Sequence, residues 1–261
     1  MRKMSIPKII HLCWYGRGKY PELTEKCILS WKKVLPDYEI KIWDEDSFDI
    51  ACCSFTRQAY AARKWAFVSD YVRLVALYQY GGIYMDTDLE VLKDFSHLLK
   101  SKKFVTSYVE GGLVATSFIA SEAGHPFLKK LIEYYDCESL KIESGESISY
   151  VMNPLIFTEM AKDLYGFSLR CDSFENDYIT IYPIEYFMAY KKFNFGSSYA
   201  HWRYKITKNT CTIHHDMGSW HKRNPLKKFF ADCARLFLPQ KIYLSMKIQK
   251  NEAEILKREG L

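Results

Sequence analysis

Apolar positions recur along this chain with two periods, and through residue 91 the elements they predict alternate between strand and helix. The run Ile6-Pro7-Lys8-Ile9-Ile10-His11-Leu12-Cys13-Trp14 predicts a first strand, followed by the loop Tyr15-Gly16-Arg17-Gly18. Leu23, Cys27, Trp31 and Val34 then recur at helical spacing until Pro36 stops them. Tyr38 to Trp43 alternates and predicts a second strand. From Arg57 to Tyr80 the period is again helical, with Ser69 a candidate N-cap that restarts a helix inside the stretch. Gly81 is placed to end that helix with positive φ, and Gly82 to Val91 predicts a return strand. This order argues for an open, largely parallel Rossmann-like sheet with helices on its faces. Ligands of such sheets sit beyond the carboxyl ends of the strands.

The second half is less regular. Lys103 to Val109 and Leu113 to Ala120 predict strands around the turn Glu110-Gly111-Gly112, and His125-Pro126-Phe127 opens a helix with proline in its first turn. Lys141 to Ser149 reads as a polar loop, Asn153-Pro154 opens a helix to Leu164, and Thr180-Ile181-Tyr182 is a strand stopped by Pro183. Two adjacent histidines follow in Thr212-Ile213-His214-His215-Asp216-Met217-Gly218-Ser219-Trp220. Residues 1–221 are read as one domain and 222–261 as a helical tail with ten Lys/Arg against four Asp/Glu. The tail's apolar stripe, Phe229-Phe230, Cys233 and Leu236-Phe237, suits either an anionic membrane surface or packing on the domain.

Composition narrows the class. A chain of 261 residues, 48% hydrophobic and 26% charged, is that of a globular protein with a substantial core. The net charge of +6 is not gathered into a block and accompanies no nucleic-acid recognition motif, so an anionic small molecule or membrane surface is the expected partner. Eight cysteines with no C-x-x-C pair resemble neither a zinc site nor a secreted disulfide framework, and are read as reduced thiols. Pro7, Lys8 and His11 interrupt any signal-peptide core, and no apolar run reaches bilayer length. The expected location is cytoplasmic.

Candidate chemistry centres on Asp86-Thr87-Asp88. On a strand from Ile83 to Leu89, Asp86 and Asp88 would point the same way and could hold a hard divalent cation. A rival, Asp44-Glu45-Asp46, follows the second strand and reads as turn and helix-cap chemistry. Asp70 and Arg73 share a helical face, which by itself favours a surface ion pair. Trp14, at a strand end, is a core residue or a stacking platform for a base.

Together these motifs resemble the glycosyltransferases with an Asp-x-Asp sugar-binding region. That family includes Golgi mannosyltransferases of yeasts and many bacterial capsule and lipopolysaccharide enzymes, with the glucosyltransferase domains of clostridial toxins as distant relatives. The resemblance rests on the first strand through Gly16, Ser30-Trp31, Pro36-Asp37-Tyr38, Ser69-Asp70-Tyr71-Val72-Arg73, Tyr80 to Asp88, His125-Pro126-Phe127 and His214-His215 with Ser219-Trp220. It implies a GT-A fold, a UDP- or GDP-sugar donor, Mn²⁺ or Mg²⁺, and retention of anomeric configuration. By position, Trp14 looks like the base platform, and Ser69, Asp70, Arg73 and Tyr84 like donor-side residues, which reverses the surface-pair reading. Asp86 and Asp88 look like metal and ribose ligands, His215 matches a metal-side position, and Trp220 one that closes over the diphosphate. Many family members have Gly-Pro where this chain has Asn153-Pro154.

The acceptor implied is a glycan or a lipid-linked saccharide of a surface polysaccharide, met at the inner face of a bacterial membrane. A toxin-like transferase acting on protein, a non-catalytic nucleotide-sugar-binding module and a metal-dependent phosphohydrolase are the alternatives.

Overall fold

The computed structural model describes residues 6–137, 141–142, 148–149, 152–169, 172–194, 201–215 and 240–259. The first half runs β1 (Ile9–Cys13), α1 (Glu22–Val34), β2 (Glu39–Trp43), a 3₁₀ turn (Ile50–Cys52), α2 (Ser54–Ala61), α3 (Trp65–Tyr80), β3 (Gly82–Met85), β4 (Leu89–Val91) and α4 (Ser96–Leu99). There follow β5 (Phe104–Ser107), β6 (Phe118–Ser121), α5 (Pro126–Cys137), β7 (Lys141–Ile142), β8 (Ile148–Ser149) and α6 (Asn153–Tyr165). The remainder is β9 (Phe174–Glu175), β10 (Thr180–Tyr182), α7 (Ile184–Phe187), β11 (Tyr190–Asn194), β12 (His201–Lys205), β13 (Thr212–His214) and α8 (Gln240–Glu259).

Seven strands form the central sheet in the order β2-β1-β3-β6-β5-β10-β9. β2, β1, β3, β5 and β10 run one way, and only β6 and β9 oppose them. The expected α/β class, with a mainly parallel open sheet and flanking helices, is what the chain forms. Strand alternation divides the core into two layers. Cys13, Tyr84, Phe104 and Ile119 face α2, α3, α5 and α6, while Ile10, Leu12, Ile83, Met85 and Phe118 face α1, α4 and α7. β1 leads to β2 on one side and lies against β3 on the other, which makes the β1/β3 boundary a topological switch point where a crevice opens.

The helix expected from Arg57 to Tyr80 is two helices, broken at Ala62-Arg63-Lys64 where Arg63 adopts φ 55°. Ser69 is therefore an interior residue of α3 rather than an N-cap, and its hydroxyl donates back to the Trp65 carbonyl at 3.2 Å. Gly81 and Gly82 join α3 to β3 with φ of 63° and 104°. A β-carbon on Gly82 would lie 2.6 Å from the Ile9 carbonyl oxygen, so the pair is needed both for its dihedrals and for the close approach of β3 to β1.

Several residues quoted for the resemblance hold the frame. The Trp31 indole donates to the Leu89 carbonyl at 2.6 Å, and the Ser30 hydroxyl accepts from the Val91 amide at 2.9 Å. Side chains of α1 thus replace a neighbouring strand along β4, satisfying backbone groups that would otherwise be buried unpaired. His125 caps α5: its Nδ1 accepts from the Phe127 amide at 3.3 Å and its Nε2 pairs with the Tyr178 carbonyl at 3.1 Å. α8 packs on the body through Ile255, which joins Leu113, Leu155 and Leu169. No helix among the described residues is long and apolar enough to cross a membrane. The described cysteines are free thiols.

Candidate active site at the carboxyl ends of β1 and β3

Asp86-Thr87-Asp88 is a turn and not part of a strand, which corrects the alternation expected for it. β3 ends at Met85, the Leu89 amide donates to the Asp86 carbonyl at 3.0 Å, and β4 then leaves the central sheet to pair antiparallel with β13. The Asp86 amide is held by the Ser117 carbonyl at 2.9 Å, and the Asp88 carbonyl accepts from the His215 amide at 3.0 Å. The turn is pinned at both ends by backbone, which leaves its two carboxylates to converge.

They converge on His214. Ligand atoms of Asp86, Asp88 and His214 all lie within 4.8 Å of one another. His214 Nε2 is 3.2 Å from Asp88 Oδ1 and 3.7 Å from Asp86 Oδ2. His215, expected on the metal side, points elsewhere: its Nε2 pairs with Glu90 Oε2 at 3.0 Å and its ring meets Tyr204 edge-on. The physical reason is register. β13 pairs His214 with Leu89, the residue next to Asp88, whereas His215 lies past the last strand pair. Two carboxylate oxygens and an imidazole nitrogen suit a manganese-type cation better than a pure oxygen set would. The residues present fit such an ion.

Behind the turn, Arg73 occupies the interior. It is 4% exposed and its four polar contacts use most of its donors. Nη2 meets Asp70 Oδ1 at 2.8 Å, Nη1 donates to the Thr116 carbonyl at 2.8 Å, Nε donates to the Ser69 carbonyl at 3.0 Å, and Nη1 lies 3.6 Å from Asp86 Oδ1. Its guanidinium also stacks 4.3 Å from the centre of the Tyr84 ring. The Tyr84 hydroxyl donates to Asp86 Oδ1 at 2.7 Å. Asp86 is thus divided: Oδ1 is engaged by Tyr84 and Arg73, and Oδ2 is turned toward His214. Burial pushes the Tyr84 hydroxyl well above its ordinary range, so it remains a donor. Burial acts to lower Arg73, but the carboxylates of Asp70 and Asp86 oppose it and hold the side chain charged. The Cys13 thiol below the site is pushed up by burial and is no nucleophile.

The Asp70–Arg73 pair is therefore interior, and the surface reading of its spacing is wrong. An interior residue also orients Asp70. Asn153 Nδ2 donates to Asp70 Oδ1 at 2.8 Å, and the Tyr135 hydroxyl donates to Asn153 Oδ1 at 3.0 Å. Asn153 starts α6 and Tyr135 lies in α5, so two helices fix one carboxylate. Sequence reasoning singled out Asn153 but not Tyr135, and it missed the Thr116 and Ser117 carbonyls altogether. Backbone acceptors carry no side-chain signal.

Trp14 follows β1, whose last pair with β3 is His11 with Tyr84, so it emerges at the same end as the acidic turn. Its indole donates to the Gly18 carbonyl at 2.7 Å and its ring meets Tyr20 edge-on at 4.8 Å. Ser69 presents its carbonyl to Arg73, and its hydroxyl stays within the helix. Trp220 lies outside the described residues.

Fold and site together define an α/β protein with an acidic, cation-type centre backed by a buried arginine at a switch point. Residues 21–105, about a third of the chain, match the family described as glycosyltransferase sugar-binding region containing DXD motif. Among curated relatives, inositol phosphoceramide mannosyltransferase 3 of Schizosaccharomyces pombe is 29% identical over 139 residues, 49% of this chain and 36% of the relative. Mannosyl phosphorylinositol ceramide synthase CSH1 of Saccharomyces cerevisiae is 31% identical over 140 residues, 49% of this chain and 35% of the relative. The chain thus spans little more than a third of the length of these relatives. The solved structure of PaToxG glycosyltransferase superposes with a TM-score of 0.48 at 22% identity, covering 62% of this chain and 70% of that one.

Proposed function

We propose that the protein is a metal-dependent, retaining glycosyltransferase that moves a sugar from a UDP- or GDP-sugar to a glycan or lipid-linked acceptor. The observation that carries this reading is the junction at Asp86. One carboxylate is shared between a buried cationic frame, Arg73 with Tyr84, and the Asp88–His214 pair. Asp86, Asp88 and His214 would hold Mn²⁺ or Mg²⁺, which when bound would offset the charge of a departing nucleoside diphosphate. Arg73 adds fixed positive charge from within a preorganised frame, and such a charge is worth most where water is excluded. Asp70, oriented by Asn153, is the hydroxyl acceptor for the donor sugar or ribose. Trp14 would stack on the base, and Trp220 would close over the diphosphate.

Each carboxylate brought together here is already engaged, Asp70 with Arg73 and Asn153, Asp86 with Tyr84, and Asp88 with His214. None is poised as a nucleophile, which favours attack on the face from which the diphosphate departs. A covalent sugar trapped on an aspartate would refute that route. The two mannosyltransferase relatives carry inositol phosphoceramide or ceramide in their names, which favours a lipid-linked acceptor here. Ile242, Met246 and Leu256 are exposed on α8, and with the exposed Lys250 and Lys257 they support peripheral contact with an anionic membrane. The test is incubation with a panel of nucleotide sugars and Mn²⁺, followed by nucleoside diphosphate release. Chelator-sensitive release from one donor is expected, and silence from every donor would leave a binding module.

A further inference from the structure

We infer that α8 is a remote clamp on the donor site, acting through the hairpin between β5 and β6, with Asn251 and Lys247 as positioning residues. The inference rests on the transferase reading only for its kinetic consequence. The base of this hairpin forms part of the site: Thr116 supplies the carbonyl that accepts from Arg73, and Ser117 the carbonyl that accepts from the Asp86 amide. Its tip, five residues from Thr116, is gripped by α8. Asn251 Nδ2 donates to the Gly111 carbonyl at 2.8 Å, and Lys247 Nζ meets Glu110 Oε2 at 3.2 Å.

The approach is close enough to dictate residue type. A β-carbon on Gly111, whose φ is 96°, would lie 2.6 Å from Asn251 Nδ2. One on Gly112 would lie 2.4 Å from the Leu169 carbonyl oxygen, so the tip is wedged between α8 and the segment after α6. Between tip and base the chain is stiff. Val109 and Leu113 are bonded at 2.8 Å, the Ala115 amide donates to the Ser107 carbonyl at 2.7 Å, and the Val114 amide donates to the Thr158 hydroxyl at 2.8 Å. A displacement at Gly111 therefore has no slack segment in which to dissipate before Thr116. The carbonyl that fixes the Arg73 fork is positioned by a helix lying well beyond the matched region, residues 21–105.

Hydrogen–deuterium exchange on the full chain reads this coupling without any donor. Asn251→Ala is expected to speed exchange of peptides covering residues 112–118 by about fivefold, the equivalent of one neutral hydrogen bond, while β1 and the middle of α3 keep wild-type rates. Lys247→Met, which removes only the ion pair, should give a smaller rise in the same peptides. Unchanged exchange over 112–118 in both variants would overturn the inference, as would an equal rise everywhere, which would make α8 a general staple. With donor and Mn²⁺, Asn251→Ala should lower kcat/KM for the donor about fivefold at an unchanged folded fraction, because Arg73 is then less firmly preorganised. A fall in kcat that merely tracks the folded fraction would count against positioning. A wild-type protein that releases no diphosphate from any donor would sink the transferase reading alone, and the exchange result would still decide the coupling.

Discussion

The two Asp-x-Asp stretches of this chain are turns at the carboxyl ends of β2 and β3, the strands on either side of β1, yet they do different things. Asp44 Oδ1 accepts from the amides of Asp46 and Ser47 and from the Ser47 hydroxyl, all within its own turn. Glu45 accepts from the Gly16 amide at 2.7 Å, and Asp46 forms a two-pronged pair with Arg17. Each carboxylate of the first stretch has its partners in place, with Asp44 and Glu45 half-buried and Asp46 in solvent. The second stretch draws its backbone partners from elsewhere, from Ser117 and His215, and so releases its side chains to face one another, Arg73 and His214. A motif becomes a site when the surrounding chain satisfies its backbone and leaves its carboxylates to be neutralised by something else.

The sharpest way to break that contrast is Asp88→Asn. It removes one charge from the converging set and is expected to lower metal-dependent diphosphate release by about a thousandfold, on the scale of losing a principal charge-stabilising group. Turnover within a few-fold of wild type would remove Asp88 from the centre. Arg73→Lys should follow in size. A lysine cannot serve the Ser69, Thr116 and Asp70 acceptors together, so buried groups are left unpaired at a cost of about 3 kcal/mol, measurable by urea unfolding. Full stability in that variant would mean that the frame behind Asp86 is not the arginine's work.

The fold was legible where periodicity was. α1, β2, the end of α3 at Gly81 and the start of α5 at Pro126 fall close to where apolar spacing and Gly/Pro signals put them. The break at Arg63 escaped notice because apolar residues continue in helical phase across it, and the only signal is a positive φ on a residue type that gives no warning. In the site, Asp70, Arg73, Asp86 and Asp88 could be read from spacing and resemblance. The choice between His214 and His215 could not, because it depends on the register of β13 against β4, two strands more than a hundred residues apart in the chain. The burial of Asp70 was equally illegible, since the helices that cover it, α5 and α6, lie far along the sequence.

A further contrast lies between the histidine at the acidic turn and one that builds the frame. His125 is 1% exposed, and burial lowers its pKa from 6.5 to about 4. Its Nδ1 must stay unprotonated to accept from the Phe127 amide, so the cap on α5 requires the neutral ring. Between those two values the unfolded chain binds more protons than the folded one. Stability is therefore full above about pH 6.5, falls as pH drops, and levels off below about pH 4, for a total on the order of 3 kcal/mol. Urea titrations at pH 7 and pH 4.5 should show most of this loss in the wild type, and His125→Asn, which keeps a capping acceptor but does not titrate there, should flatten it. Equal stability at both pH values in the wild type would show that the ring is protonated in place.

The smallest expected effect is the one that best isolates the contrast, Asp46→Asn. The Arg17–Asp46 pair has short contacts but stands in solvent, with its side chains 61% and 71% exposed. The Arg17 hydrogen bond holds the Asp46 carboxyl below its usual range. The pair therefore favours the folded state above the ordinary carboxylate pKa, and that small contribution fades as pH falls and is screened by salt. The pair nonetheless clasps the loop that carries Trp14, the proposed base platform, so the substitution has a route to the proposed donor site. It is a weak route, because Glu45 keeps its bonds to the Gly16 amide and the Tyr60 hydroxyl in the variant. Unfolding midpoint and donor KM are both expected to stay close to wild type, KM within about twofold, at low and high salt alike. A large rise in KM confined to low salt would mean that the first acidic turn, through Arg17, sets the position of the base-side loop, and the division between a self-satisfied turn and a functional one would no longer hold.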